Sequence, residues 1–201
     1  MSRMMDQIIT FSEDDARRVN FPHHDSLVIE SHISNKMVAQ ILVDNGSSVN
    51  IPFKSAFEKT GLTTSELSPC TLTLYGLSRE GVIPMEEVKL PVTLGKVPRQ
   101  AFKYCTFLVV DCSSTYNTIL GHSALVEFGA VTSIRHLCIK FPTESGIGTI
   151  HRDQKEVRWC YNVSLKHPVM VVEAVAPEQP PSVKMEVEVV LEERDSNELD
   201  P

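Results

Sequence analysis

Short apolar runs separated by turn signals fill most of the chain between residues 26 and 153. SLVIESHI (26–33) and MVAQILVD (37–44) partly alternate around Ser34-Asn35-Lys36 and predict a hairpin. Helical spacing is limited to two segments near 53–60 and 122–128, followed by Gly61 and Gly129 as helix ends. Further strands are predicted at TLTLYG (71–76), EEVKLPVTLG (86–95), CTFLVVD (105–111), NTILG (117–121), VTSIRHLCIKF (131–141) and GIGTIHRD (146–153). Many short strands with non-local pairing predict an all-β domain that closes into a barrel.

Composition divides the chain into three segments. Residues 1–22 read as a polar N-terminal arm with a short helical possibility at SEDDARRV, and residues 23–165 as the folded domain. Residues 166–201 hold three basic and nine acidic residues, which account for −6 of the formal net charge of −7. This acidic, Pro-containing segment predicts a disordered linker. Since no basic stripe is visible in the sequence, nucleic-acid binding by this segment is not expected.

Targeting and redox signals are sparse. No apolar run is as long as a membrane span and the N-terminus lacks a signal-peptide core, so we expect a cytoplasmic location and no membrane partner. Five cysteines without a C-x-x-C pair favour reduced, buried thiols. His23-His24-Asp25 has no further ligand at useful spacing, so we expect a solvated arm there and no metal.

The stretch ILVDNGSSVNI (41–51) places one carboxylate, Asp44, at the end of an apolar strand. Asn45-Gly46 after it is a common turn signal, and an aspartate before such a turn often bonds the turn's own amides. The stretch taken by itself therefore leaves a structural and a chemical role for Asp44 open.

A resemblance adds to this picture. The blocks HHDSLVIE (23–30), ILVDNGSSVNI, FLVVDCSSTYNTILG (107–121) and HLCIKFPT (136–143) resemble, in order and spacing, the retropepsin-like aspartic protease of plant-type gypsy LTR retrotransposon polyproteins. The resemblance covers residues 20–165 and implies an aspartic endopeptidase without metal or organic cofactor. It makes Asp44 the catalytic carboxylate, in a loop formed with Asn45, Gly46 and Ser47. In the family, the residues at the Gly46 and Ser47 positions allow close backbone approach and bond the carboxylate.

Two further elements follow from the same resemblance. Ile119-Leu120-Gly121 would pass behind the catalytic loop as a psi-shaped support. LYGLSREGVIP (74–84) would be the flap that covers substrate, with Tyr75, Gly76, Leu77 and Gly81; an ordinary surface hairpin is the alternative.

The number of carboxylates predicts the assembly. Asp44 belongs to the single Asp-x-Gly of the chain, whereas this chemistry needs two carboxylates that share a proton. The resemblance therefore implies a homodimer with the site on its two-fold axis and an extended polypeptide, hypothetically the element's own polyprotein, as substrate. Asn45 stands where the family usually has Thr or Ser, and His122 where Arg is common. A catalytically inactive dimerisation or peptide-binding module, or a decayed remnant, stays open as the alternative.

Overall fold

Strands form most of the regular structure in this computed structural model, which describes residues 7–59, 67–70, 72–76, 81–151, 154 and 172–174. The helices are α1 (Glu13–Ala16), α2 (Lys54–Lys59) and α3 (His122–Phe128). The prediction of a mostly-β chain with short helices near 53–60 and 122–128 is confirmed. The strands are β1 (Val28–Ile33), β2 (Lys36–Val43), β3 (Ile51–Pro52), β4 (Ser68–Pro69), β5 (Leu74–Gly76), β6 (Gly81–Val82), β7 (Glu86–Lys96), β8 (Arg99–Val109), β9 (Thr118–Leu120), β10 (Val131–Ser133), β11 (Cys138–Thr143), β12 (Gly146–His151) and β13 (Val172–Ala174).

The main sheet curls back on itself. Its seven strands run in the order β3-β9-β2-β1-β7-β4, with β8 also paired to β7. Two parallel bridges, Asn50 with Phe107 and Phe53 with Val110, connect the chain on either side of β3 to β8. The pairing therefore returns to its starting strand, as in a closed barrel.

The barrel interior is filled from alternate positions of its strands. In β7, Val88, Leu90, Val92 and Leu94 are all less than 5% exposed, whereas Lys89 between them is exposed. Burial of each such aliphatic side chain contributes about 1.5–3 kcal/mol. This packing fixes the register of β7 because a shift by one residue would turn every one of these side chains to solvent.

Strand β7 contains Pro91 but is not an edge strand, because it pairs with β8 along its whole length and with β1 and β4 on its other side. The β1 ladder reaches only Val92 and Thr93, and Pro91 lies just beyond it. A missing N–H is tolerated there, and the Pro91 carbonyl accepts a hydrogen bond from the Ser34 N–H at 2.7 Å.

Two strand predictions differ from the structure. Strand β8 begins at Arg99, six residues before the predicted start at residue 105, because residues 99–104 pair with β7 although their side chains are mostly exposed. The single strand predicted at 131–141 is split into β10 and β11 by a turn. Leu137 has a φ of 45° there, and the Ser133 hydroxyl bonds His136 Nδ1 at 2.6 Å across the turn.

The N-terminal arm packs against the domain. Asp15 of α1 is buried, and its carboxylate forms a salt bridge of 2.8 Å with Lys140 of β11. Lys140 also donates to the Thr10 carbonyl at 2.7 Å. Desolvation acts to raise the pKa of Asp15, but hydrogen bonds from Lys140 and the Ser12 amide, together with the charge of Lys140, hold that pKa below its ordinary value.

The prediction of a solvated segment at His23-His24-Asp25 is wrong for two of its residues. The His23 side chain is 4% exposed, and its Nε2 lies 3.1 Å from the Arg135 carbonyl. Asp25 is 7% exposed and accepts a hydrogen bond of 2.6 Å from Gln154 Nε2. Long-range partners, which a local pattern does not show, remove these polar groups from water.

Two smaller sheets complete the described structure, with strand orders β10-β11-β12 and β13-β5-β6. Strand β13 pairs antiparallel with β5, Glu173 opposite Tyr75, and it lies in the segment where composition predicts a disordered linker. Val172 begins this strand in a locally apolar run, VMVVEAVA (169–176), which differs from the acidic residues after it. The other residues of 166–201 lie outside the described part of the chain. In that part, the helices are too short to traverse a lipid bilayer.

Candidate active site

Asp44 lies directly after strand β2, half-buried at the rim of the barrel. Its backbone N–H donates to the Leu120 carbonyl at 3.0 Å, which continues the pairing of β2 with β9. Its side-chain Oδ1 accepts a hydrogen bond of 2.9 Å from the Gly46 N–H, and its carbonyl accepts one of 3.3 Å from the Ser47 N–H. The turn therefore fixes both the backbone and the carboxylate of Asp44.

Strand β9 passes behind this loop between its two flanking strands. It pairs parallel with β2, Val43 opposite Leu120, and antiparallel with β3, Ile51 opposite Ile119. Ile119 and Leu120 are both no more than 1% exposed. The structure thus brings the predicted support segment against the predicted catalytic loop.

Gly121 permits the closest approach at the site. An added Cβ would lie 2.1 Å from the carbonyl oxygen of Val49 and 2.6 Å from that of Ser47. The next residue, His122, donates its backbone N–H to the Ser47 carbonyl at 2.7 Å. A larger residue at 121 would push the loop away from β9 because both obstructing atoms belong to the backbone.

Asn50 is a buried residue of the site that the sequence interpretation missed. It is 1% exposed, and its Oδ1 accepts a hydrogen bond of 2.9 Å from the Gly121 N–H. Its Nδ2 donates to the Thr106 carbonyl at 2.8 Å and to the Ser123 hydroxyl at 3.0 Å. One side chain therefore joins the Asp44 loop, strand β9 with Gly121, and strand β8. The signal was an amide between the apolar residues of SVNIPF, since a buried amide needs partners.

Ser47 and Asn45 use their side chains differently from the expectation. The Ser47 hydroxyl is fully buried and donates to the Val49 carbonyl at 2.8 Å, whereas the Gly46 N–H bonds the carboxylate. The Ser47 hydroxyl thus stabilises the backbone of the loop, and the hydrogen bond to the Asp44 carboxylate comes from a backbone N–H. Asn45 Nδ2 donates to the hydroxyl of Thr132 in β10 at 3.0 Å, a contact that no local motif predicted.

The predicted flap corresponds to the β5–β6 hairpin. Tyr75 is 40% exposed and lies opposite Gly81, where an added Cβ would lie 3.3 Å from the Tyr75 ring. Gly76 ends β5. Leu77, the fourth predicted flap residue, lies outside the described residues.

The described thiols are buried to different extents. Cys105 and Cys138 are at most 2% exposed, and desolvation is the main cause that raises the pKa of each thiol to about 11. Cys70 and Cys112 are half-buried, and all four are free. Cys160 lies outside the described residues. Across the described ranges, His, Cys, Asp and Glu nowhere gather in a group of three or more suited to a metal ion.

Known proteins resemble this chain in structure. No protein-family model and no curated protein matches the sequence. The retroviral protease-like domain of Ddi1 from Leishmania major is 16% identical, with a TM-score of 0.47, over 64% of this chain and 95% of that one. A retropepsin-like aspartic protease from Rickettsia conorii is 16% identical, with a TM-score of 0.38, over 61% of this chain and 79% of that one.

The EIAV protease, complexed with the inhibitor HBY-793, is 19% identical, with a TM-score of 0.34, over 58% of this chain and 100% of that one. These structural neighbours are retropepsin-like aspartic proteases. All three TM-scores are below 0.5.

Proposed function

We propose that this chain is an aspartic endopeptidase that acts as a homodimer, each subunit supplying one Asp44. The observation that carries the proposal is the loop itself. A half-buried carboxylate follows a core strand, is oriented by the Gly46 N–H and is supported from behind by β9. An ordinary turn aspartate needs no such support, and a buried strand threaded behind it favours a chemical role.

The chemistry follows from pairing two such carboxylates. One carboxylate takes a proton from a water molecule, which attacks the scissile carbonyl, while the protonated partner donates a hydrogen bond to the carbonyl oxygen. The second carboxylate has to come from a second chain, because the sequence holds one Asp-x-Gly. Two close carboxylates do not both ionise easily, so activity should favour mildly acidic pH.

The substrate proposed is an extended polypeptide lying across the two-fold axis beneath the β5–β6 hairpins. An extended chain can pair with hairpin strands through its backbone, so that side-chain pockets supply the specificity. The block resemblance to LTR retrotransposon proteases supports a polyprotein as the natural substrate.

A second candidate is a dimerisation or peptide-binding module without catalysis. One observation favours it: the Asn45 side chain is bonded to Thr132 of its own chain at 3.0 Å. In the family that this chain resembles, the hydroxyl at this position bonds the loop of the partner subunit. An Asn45 amide that is already bonded within its own chain would weaken that contact between subunits.

The experiment compares wild type with Asp44→Asn on a library of extended peptides at several pH values. Asp111→Asn is the matched control, since it makes the same change at an exposed aspartate outside the loop. Wild type and the control should cleave, and Asp44→Asn should not, because an amide cannot take a proton from water. Sedimentation should show dimers of all three proteins. If all three bind peptide without cleaving it, the second candidate is correct; if wild type is monomeric at every concentration, both candidates fail.

A further inference from the structure

A cleft of about 390 Å³ lies at the end of the barrel away from Asp44. It is bounded by the β1–β2 hairpin, the β7–β8 turn and strand β12. Met37, near the start of β2, lines it, whereas Asp44 follows the last residue of that strand. At roughly 3.3 Å per residue the two lie about 20 Å apart. The cleft is therefore separate from the candidate active site.

Positive charge from two distant segments of the chain meets in this cleft. Arg18 of the arm, Lys96 at the end of β7 and Arg99 at the start of β8 line it, together with one carboxylate, Glu30. In the described part of the chain, none of these three cations forms a salt bridge. We call Arg18, Lys96 and Arg99 the basic cluster. No local pattern showed it because Arg18 is far along the chain from Lys96 and Arg99.

A histidine at the same cleft is affected by the positive charge of the basic cluster. His151 lines the same cleft. Burial is the main cause that lowers the pKa of His151, and the charges of Arg18 and Lys140 lower it further against the opposing carboxylate of Asp15. A neutral imidazole can donate one hydrogen bond and accept another, so His151 adds a polar contact without adding charge.

The backbone beneath Arg99 is closely packed. Gly95, at a φ of +80°, would place an added Cβ 2.4 Å from the Arg99 carbonyl oxygen, and one added at Gly148 would lie 3.1 Å from it. The two-residue turn between Lys96 and Arg99 thus sits directly on β12. The two cations on either side of the turn therefore extend from a fixed base, which lowers the entropy lost when they bind a ligand.

Part of the remaining wall of the cleft is apolar, beside the polar Ser31, His32 and Thr149. Ile147 and Ile150 are half-buried, and Met37 is 50% exposed. Small-molecule sites combine such apolar lining with a few convergent polar groups, within volumes of about 300–1,000 Å³. We infer that this cleft binds a small organic phosphate of about nucleotide size, its phosphates on the basic cluster and its flat apolar part against Met37, Ile147 and Ile150. Guanidinium groups suit this role because they bind phosphate oxygens in pairs.

The test is calorimetric titration of the full chain at constant ionic strength with ADP, pyrophosphate, adenosine and a single-stranded oligonucleotide as separate probes. ADP should bind saturably, pyrophosphate more weakly and adenosine least, because only ADP offers both phosphates and an apolar ring. Arg99→Gln should weaken ADP binding at least about tenfold, because one charge-assisted contact is lost. Lys103→Gln is the matched control: it removes an exposed positive charge from the same strand, outside the cleft, and should change binding by less than about twofold.

Three results would overturn the inference. ADP binding no tighter than that of adenosine would show that the basic cluster holds no phosphate. Equal weakening by Arg99→Gln and Lys103→Gln would show a diffuse charge effect. Binding of a single-stranded oligonucleotide without binding of ADP would assign the surface to nucleic acid. If Arg99→Gln does not fold, Lys96→Gln serves in its place, since Lys96 is exposed and its side chain is absent from the core. None of these outcomes depends on cleavage activity, and Asp44→Asn should bind ADP like wild type.

Discussion

Replacing Asn50 by alanine removes three hydrogen bonds from the back of the Asp44 loop. The Gly121 N–H loses its buried acceptor at 2.9 Å, and the Thr106 carbonyl and the Ser123 hydroxyl lose a donor each. A buried N–H left without a partner costs about 1–3 kcal/mol, and each further lost bond about 0.5–1.5 kcal/mol. The free energy of unfolding should therefore fall by about 2–6 kcal/mol, a large share of the roughly 5–15 kcal/mol typical of a domain.

Urea unfolding followed by circular dichroism measures this change as a shift of the midpoint at constant slope. Ser123→Ala is the matched control because it removes only one of the three bonds, and Ser123 is exposed, so water can replace it. The control should cost less than about 1 kcal/mol. The reasoning is refuted if Asn50→Ala costs no more than Ser123→Ala, since Asn50 would then not hold the loop.

Three more outcomes are expected. Gly121→Ala should cost at least about 3 kcal/mol in urea unfolding, because its Cβ would lie 2.1 Å from a backbone oxygen; a cost below about 1 kcal/mol would contradict the packing. Asp15 has a lowered pKa in the fold, so Asp15→Asn should lower the free energy of unfolding by its full amount above pH 3.8 and by less as the pH falls further. Urea unfolding of both proteins at several pH values measures this difference, and a difference that does not shrink at low pH would show that Asp15 is unpaired. In the native protein at mildly alkaline pH, iodoacetamide followed by mass spectrometry should find Cys70 modified before Cys105 and Cys138, whose pKa values are about 11; equal rates would contradict their burial.

The parts of the fold predicted from sequence are those encoded by neighbouring residues. Strand β2 is an apolar, partly alternating run that ends at the Asn45-Gly46 turn, and α3 closes on Gly129, whose φ of 56° suits glycine. The turn that splits residues 131–141 was missed because every residue in it also suits a strand. Leu137 takes a left-handed conformation in this turn while its side chain is 1% exposed, a combination that no local sequence signal indicates.

The candidate site also contains some residues that a local motif identifies and others that only the folded structure brings together. Asp44 and its glycine form a local motif, so sequence located them. Asn50, Thr132 and the basic cluster depend on which strands become neighbours, and no local pattern contains that information. Asn50 also shows why composition misleads: a single amide among apolar residues looks like a surface position until its three partners are known.

We propose that one catalytic site is built from two copies of Asp44. Mixing wild type with Asp44→Asn at fixed total concentration, under conditions in which subunits exchange, tests it directly. If both carboxylates are required, peptide cleavage falls as the square of the wild-type fraction, to about one quarter at an equal mixture. Cleavage that falls only linearly, to about one half, would show that each chain carries a complete site and would contradict the account.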